Sequence, residues 1–170
     1  VMALDKTRII NGVSGWTDRD AGDMYDVHNY PSTAMMLPAN TNNRISVLGE
    51  FGGLGLPVKE SLWNPNMRNW GYKNIEGGVD LFSDYGRLMF DLETLIAQGL
   101  SGAIYTQTTD VEGEVNGLIT YDRKTIKLPK EFLNVIHSRL YKVKSAKTVN
   151  LIEDARTNKS LRKEITIDGN

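Results

Sequence analysis

The sequence predicts an α/β protein built on a parallel sheet. Short apolar runs that end in polar residues alternate with segments of helical periodicity, an order typical of parallel strands with right-handed crossovers. Polar side chains cluster directly after the apolar runs. Parallel α/β sheets and barrels place their functional sites at these strand ends.

Four segments have the composition of strands: residues 7–10, 23–28, 44–50 and 102–106. A glycine-rich loop at residues 11–16 follows the first segment. Residues 31–43 hold two prolines and three asparagines, which predicts a loop before the third strand. Residues 54–78 are irregular and contain Trp63 and Trp70; long connections are usually functional or disordered, and these aromatic residues favour an ordered lid.

Two helices are predicted, at residues 79–98 and from Pro129 to Leu140. Gly99 suits the position after the first helix, and Pro129 suits the first position of the second. We assign residues 1–141 to one domain. Residues 142–170 are polar, with β-like segments at 148–152 and 165–167, and we expect a tail or the start of a following β-rich domain. The apolar stripe of the first helix comprises Leu81, Phe82, Tyr85, Leu88, Met89, Leu92, Leu95 and Ile96.

The composition argues against several classes of partner. Of 170 residues, 24% are charged and the formal net charge is −1, without the excess of Lys and Arg that a nucleic-acid surface needs. No stretch approaches the roughly 20 apolar residues of a membrane span. The absence of cysteine excludes disulfides and thiolate metal sites and leaves the compartment open. His137 is predicted on a helix among surface residues, so we expect no metal site and no cofactor.

Glu50 is the first candidate for chemistry. It ends the apolar run at residues 45–48, and two glycines follow at Gly52 and Gly53. A carboxylate at the tip of a core strand contributes little to a core, because burying a charge is costly. At the mouth of a (β/α) barrel, the same position is typical of a catalytic residue, and a buried Glu suits a nucleophile or an acid/base in sugar chemistry. The alternative is an exposed Glu, or one paired with Arg.

Asp26, His28 and Tyr30 alternate along the second strand and therefore share one side of the pleat. Tyr30 is placed to hydrogen bond to a nucleophile, and His28 or Asn29 is placed to bind sugar hydroxyls. The alternative is a strand end capped by an Asn-Tyr-Pro turn.

The third group of candidates follows the last predicted strand. Residues 105–116 are rich in hydrogen-bonding side chains, and sugar sites need such groups together with aromatic faces. The alternatives are a polar surface loop and ordinary aromatic packing. The candidates are Tyr105, Gln107, Asp110, Glu112 and Glu114, with Trp16, Trp63 and Trp70 as stacking platforms.

These stretches resemble the second half of the catalytic barrel of glycoside hydrolase family 2, the β-galactosidase and β-glucuronidase group. The resemblance rests on residues 8–16, 26–31, 47–53, 99–112 and 116–124. It implies a partial (β/α)8 barrel, with the four predicted strands as barrel strands five to eight. It further implies a retaining mechanism in which Glu50 is the nucleophile and Tyr30 touches it.

The resemblance also implies a carbohydrate substrate and a set of residues around it. Tyr105 lies where many members carry a tryptophan beneath the sugar. The residues expected to orient the nucleophile or the sugar are Asp26, His28, Trp16, Tyr105, Gln107, Asp110 and Glu112.

One part of the family pattern is absent from the sequence. The acid/base glutamate of the family follows an asparagine, and no Asn-Glu pair occurs here. The chain is also shorter than the roughly 250 residues of a complete barrel. We therefore expect the acid/base to lie outside this chain, the chain alone to hydrolyse glycosides poorly, and an incomplete sheet to self-associate.

Two alternatives to this function are considered. One is a non-catalytic carbohydrate-binding or degenerate barrel module. The other is self-contained catalysis with Glu112 or Glu114 as the acid. A flexible loop is a poor support for the carboxyl spacing of about 5–5.5 Å that retaining enzymes need, which disfavours the second alternative.

Overall fold

The computed structural model describes residues 3–12 and 15–144, which form a mixed α/β arrangement. The predicted segments at residues 148–152 and 165–167 lie outside the described residues. In chain order, the strands are β1 (Met24–Asn29), β2 (Ile45–Gly52), β3 (Leu54–Gly55), β4 (Lys73–Asn74) and β5 (Gly102–Thr106), and the helices are α1 (Gly78–Ala97) and α2 (Lys130–Leu140). Two 3-10 turns lie at Pro38–Asn40 and Lys59–Ser61.

The main sheet has three strands in the order β1-β2-β5, and both pairs are parallel. The predicted parallel sheet is therefore confirmed. Strand β2 lies at the centre, and the connection from β2 to β5 contains α1. Strands β3 and β4 form a separate two-stranded parallel sheet within the long connection, which is ordered as predicted.

The prediction of a strand at residues 7–10 is wrong. This segment joins neither sheet of the described part of the chain, and the residue after it, Asn11, forms an isolated bridge with Gly22. The Asp23 N–H donates to the Ile10 carbonyl at 2.7 Å, and the Ile10 N–H donates to Asp23 Oδ2 at 2.8 Å. A side-chain oxygen thus replaces the backbone acceptor that would continue a ladder.

A bulge at Gly49 determines which residues of β2 face the core. Val27 pairs with Leu48 and His28 pairs with Glu50, so Gly49 is an extra residue in the register. Leu48 and Phe51 are both buried in the core although they stand three positions apart. In a regular strand, residues at that spacing face opposite sides, so the bulge is what brings both to the helix side.

Helix α1 covers that side of the sheet with the predicted apolar stripe. Its buried residues pack with Leu48, Phe51 and Leu54 in one core, and each buried side chain of this size contributes roughly 1.5–3 kcal/mol. Gly99 follows the helix with φ of 111°. The Gly99 and Leu100 N–H groups bond to the Ile96 and Leu95 carbonyls, respectively, in the Schellman arrangement that glycine allows. The buried residues of α1 are Leu81, Tyr85, Leu88, Met89 and Leu92.

Helix α2 packs against α1 through Phe132, whose ring lies 4.0 Å from that of Phe82. The helix begins at Lys130, one residue after the predicted start, and Pro129 is its N-cap. Leu133, Ile136 and Leu140 of α2 are partly buried and pack against the core. The two helices leave the opposite side of the sheet open, where Ile104 of β5 is 62% exposed.

Candidate functional site

Glu50 lies near the C-terminal end of the central strand, opposite His28 of β1 in the register. Its side chain is 42% exposed, more open than the buried carboxylate expected from the sequence. The bulge at Gly49 explains the difference, because it turns Leu48 and Phe51 toward the helices and leaves Glu50 on the uncovered side. A solute can therefore reach this carboxylate.

Tyr30 directly follows β1 and Thr106 ends β5, the two strands that flank β2, and their side chains meet at the Tyr30 hydroxyl. The Tyr30 hydroxyl donates to Glu50 Oε2 at 2.6 Å. The same hydroxyl lies 2.7 Å from Thr106 Oγ1. Burial and the hydrogen bond to Glu50 raise the pKa of Tyr30, so the phenol keeps its proton and remains a donor.

Asp26 supports the bulge from β1. Its Oδ1 accepts the Gly49 N–H at 3.0 Å, and its Oδ2 accepts from Asn11 Nδ2 at 2.7 Å. A Cβ at Gly49 would collide with this carboxylate. Asp26 therefore fixes the backbone immediately before Glu50.

His28 lies between the two carboxylates. Its Nε2 is 3.6 Å from Asp26 Oδ2, and its Nδ1 is 3.4 Å from Glu50 Oε2. The side chain is only 9% exposed. The contact with Glu50 lacks the geometry of a hydrogen bond, and buried Nδ1 has no hydrogen-bond partner among the described residues. The imidazole thus faces the candidate site with one polar atom unsatisfied.

A row of aromatic rings lies beside Glu50. Tyr30 stacks on Tyr72 with ring centres 3.6 Å apart and planes inclined by 6°, and Trp16 stacks on Tyr30 at 5.9 Å. Trp70 meets Tyr72 edge to face at 5.7 Å. Trp16, Tyr72 and Trp70 are exposed, and exposed aromatic faces next to polar groups are surfaces on which sugar rings can stack.

A chain of side-chain amides leads from β5 to Glu114. Gln107 Nε2 donates to Asn116 Oδ1 at 2.8 Å, and Asn116 Nδ2 donates to Glu114 Oε1 at 2.9 Å. Asn116 is fully buried, whereas Glu114 is half-buried. The amide chain therefore fixes the Glu114 carboxylate while leaving part of it accessible.

The remaining acidic candidates of this loop have different surroundings. Asp110 is buried, and its Oδ1 accepts from Lys127 Nζ at 2.7 Å and from the Gly117 N–H at 2.8 Å. Burial raises the pKa of Asp110 and lowers that of Lys127. These contacts give Asp110 a role in holding the loop. Glu112 is exposed and has φ of 52°.

Tyr105 faces the helices. Its ring packs edge to face on Phe51 and Tyr85, at 5.7 and 5.1 Å, and its hydroxyl accepts the Leu54 N–H at 3.4 Å. Burial raises its pKa. These are the contacts of a core residue, and Thr106, the next residue along β5, is the one that bonds to the Tyr30 hydroxyl.

Two further sequence candidates have local partners. Asn29 Nδ2 donates to Ser32 Oγ at 2.8 Å within the turn after β1. Trp63 is 44% exposed and contacts Tyr121 edge to face at 6.4 Å.

Neither a scan against models of known protein families nor a search among curated proteins finds a match to this chain. The family resemblance therefore stays a hypothesis. No helix in the described part of the chain has the length and apolar character needed to cross a membrane. Within residues 3–12 and 15–144, no group of three or more acidic or histidine side chains is arranged to hold a metal ion.

Sequence reasoning missed Thr106, Tyr72 and the role of Asn116. Alternation along the last strand, applied with Tyr105 assigned to the core, would have turned Thr106 toward the site. Nothing in the sequence pattern indicates that Tyr72, within the long connection, stacks on Tyr30.

Proposed function

We propose that this chain provides the nucleophile and part of the sugar site of a retaining β-glycosidase that acts on terminal β-linked sugars. The observation that carries the proposal is the 2.6 Å hydrogen bond from the Tyr30 hydroxyl to an accessible Glu50 carboxylate. This pair lies at the C-terminal edge of a parallel sheet, where α/β folds place chemistry. The resemblance to glycoside hydrolase family 2 supports the same assignment.

The chemistry follows from the two oxygens of Glu50. Oε2 is held by Tyr30 and lies near His28, whereas Oε1 receives none of the hydrogen bonds found among the described residues. Oε1 forms a bond to the anomeric carbon as the glycosidic C–O bond breaks, and the departing oxygen takes the electron pair. An acid protonates that oxygen and later, as a base, activates the water that cleaves the ester. We assign this acid/base role to none of the described carboxyls.

We propose that the main sheet is part of a (β/α)8 barrel. The three strands are parallel and pair in the order in which they occur along the chain, and α1 and α2 lie on one side of the sheet. The polar groups at the strand ends and the exposed Ile104 lie on the other side. In a barrel, that side lines the interior.

The experiment is covalent labelling with the dinitrophenyl 2-deoxy-2-fluoro-β-glycosides of galactose and glucose. Dinitrophenolate departs without protonation, so trapping depends on the nucleophile and not on the acid. We expect intact-mass analysis to detect one fluorosugar per chain and peptide mapping to locate it on Glu50. Glu50→Gln should abolish labelling, and the matched variant Glu131→Gln, at an exposed position on α2, should keep it.

Failure of the wild-type chain to react would overturn the assignment, as would labelling that persists in Glu50→Gln. If labelling fails while simple glycosides still bind, the chain is a non-catalytic carbohydrate-binding module.

A further inference from the structure

A continuous set of contacts links Glu50 to Glu114. Tyr30 bonds to Glu50 and stacks on Tyr72, and Tyr72 contacts Trp70. The backbone N–H of Trp70 donates to the Gly113 carbonyl, and the backbone N–H of Val115 donates to the Trp70 carbonyl, both at 2.8 Å. Glu114 lies between these two bonded neighbours. The aromatic row is thus anchored at its far end to the residue that carries a second carboxylate.

Electrostatics support the proximity of the two carboxylates. Burial raises the pKa of Tyr72 most, and the negative charges of Glu114 and Glu50 raise it further. The same hydroxyl therefore experiences both acidic groups. Asp26 adds a third carboxylate behind His28.

The Glu114 carboxylate is oriented and accessible enough to accept a hydrogen bond from a ligand. Asn116 occupies its Oε1 at 2.9 Å and fixes its direction, while the side chain stays half-buried beside exposed rings. In the described part of the chain, Glu114 forms no ion pair with a Lys or Arg side chain.

Resting on the proposed function, we infer that Glu114 determines sugar specificity: it accepts a hydrogen bond from a hydroxyl of an uncharged sugar stacked on Tyr72 and Trp70, and it rejects a uronic acid. A sugar hydroxyl can donate to a carboxylate, whereas a sugar carboxylate offers no donor and repels it. The substrate class is therefore a neutral hexoside.

The test compares two ligands that differ only at C6: methyl β-galactopyranoside and the corresponding methyl β-galactosiduronate. Their affinities are measured by ligand-observed NMR for the wild type, for Glu114→Gln and for the matched control Glu131→Gln, at an exposed position in the first turn of α2. Glu114→Gln keeps an oxygen that can accept from Asn116, so the loop retains its hydrogen bond. Unfolding curves of all three proteins check that they are folded.

We expect the wild type to bind the uronide about tenfold more weakly than the neutral glycoside, the scale of a partly screened repulsion between like charges. Glu114→Gln should bring the ratio of the two affinities close to one, and Glu131→Gln should leave that ratio unchanged. Raising the salt concentration should bring the ratio of the two affinities closer to one, and this can be measured on the wild type without a variant.

Equal binding of the two glycosides to the wild type would overturn the inference, and so would a ratio that Glu114→Gln leaves unchanged or an absence of binding. Labelling of Glu50 by the fluoroglycosides is a separate measurement. If labelling succeeds while discrimination fails, the specificity inference falls and the proposed function stands; if both labelling and binding fail, both fall.

Discussion

The carboxylate of Asp26 occupies the space into which any side chain at Gly49 would project. Its Oδ1 also accepts the Gly49 N–H at 3.0 Å, so the two residues fit only while position 49 lacks a Cβ. Because Glu50 is the next residue, this fit sets the direction in which the candidate nucleophile leaves the strand.

We predict that Gly49→Ala displaces Asp26 and reorients Glu50. The overpacking should lower the free energy of unfolding by about 1–3 kcal/mol, as measured in urea. Labelling of Glu50 should slow as well, because the carboxylate no longer points toward the anomeric carbon.

The control for this variant is Gly102→Ala in the neighbouring strand. A Cβ there would meet Val47 at 3.8 Å, which is ordinary contact. Stability within about 0.5 kcal/mol of the wild type is expected. Equal effects of the two substitutions would contradict the special fit at Gly49.

Tyr30→Phe removes the donor to Glu50 and keeps the ring in the aromatic row. A hydrogen bond to a charged group is worth about 1.5–3 kcal/mol, so labelling of Glu50 should slow roughly 10- to 100-fold. Tyr141→Phe, on a residue that is 79% exposed, is the matched control. An unchanged labelling rate in Tyr30→Phe would remove Tyr30 from the site.

Lys127→Met should destabilise the loop after β5. The Lys127 side chain is fully buried, and it pairs with Asp110 at 2.7 Å. Removing one partner leaves a buried charge uncompensated, at a cost of about 3–5 kcal/mol. The double variant Asp110→Asn with Lys127→Met should recover part of that loss in thermal and urea unfolding; a single variant as stable as the wild type would contradict the argument.

Asp18→Asn tests the ion pair in front of β2. Arg44 donates two hydrogen bonds to Asp18, at 2.7 and 2.6 Å, and they lower the pKa of Asp18 from 3.8 to about 2. Since the folded-state pKa is the lower one, the stabilisation is present above pH 3.8 and is lost as the pH falls toward 2. The difference in unfolding free energy between wild type and variant should therefore be larger at pH 7 than at pH 2. A difference that does not change with pH would argue against this pair.

Gly86→Ala should stabilise the protein. The residue lies inside α1, and a Cβ there would meet Phe132 at 3.6 Å and Ile136 at 4.0 Å, both ordinary contacts. Alanine in a helix interior is favoured over glycine by about 0.5–1 kcal/mol. The expected result is a higher midpoint in urea unfolding; a lower one would mean that α1 and α2 pack more tightly than these distances indicate.

The strands β1, β2 and β5 and the helix α1 could be predicted because their apolar residues follow the periods of strand and helix. Residues 7–10 misled because their composition suits a strand, while the Asp23 side chain takes over the pairing. Composition cannot reveal such a substitution, since it depends on a group that is distant in the sequence.

The candidate site was partly accessible to sequence reasoning. Alternation put His28 and Tyr30 on one side of β1, and their contacts with Glu50 agree with that alternation, while their catalytic roles stay predictions. The assignment of faces on β5 could not be read from Tyr105, because both a sugar platform and a core residue are aromatic. The bulge at Gly49 also could not be recognised from the sequence, because a single extra residue shifts the strand register locally without changing the pattern of apolar residues.

The stacking of the Tyr30 ring on Trp16 and Tyr72 has a consequence for the rate at which Glu50 reacts. A side chain stacked on two neighbours has lost rotational freedom when the chain folds, so little remains to be lost when a sugar binds. We therefore expect the Tyr30 hydroxyl to keep its hydrogen bond to Glu50 when a sugar binds. A substitution that removes the ring of Trp16 or Tyr72 would therefore lower the reaction rate of Glu50 more than it would lower the affinity for the ligand.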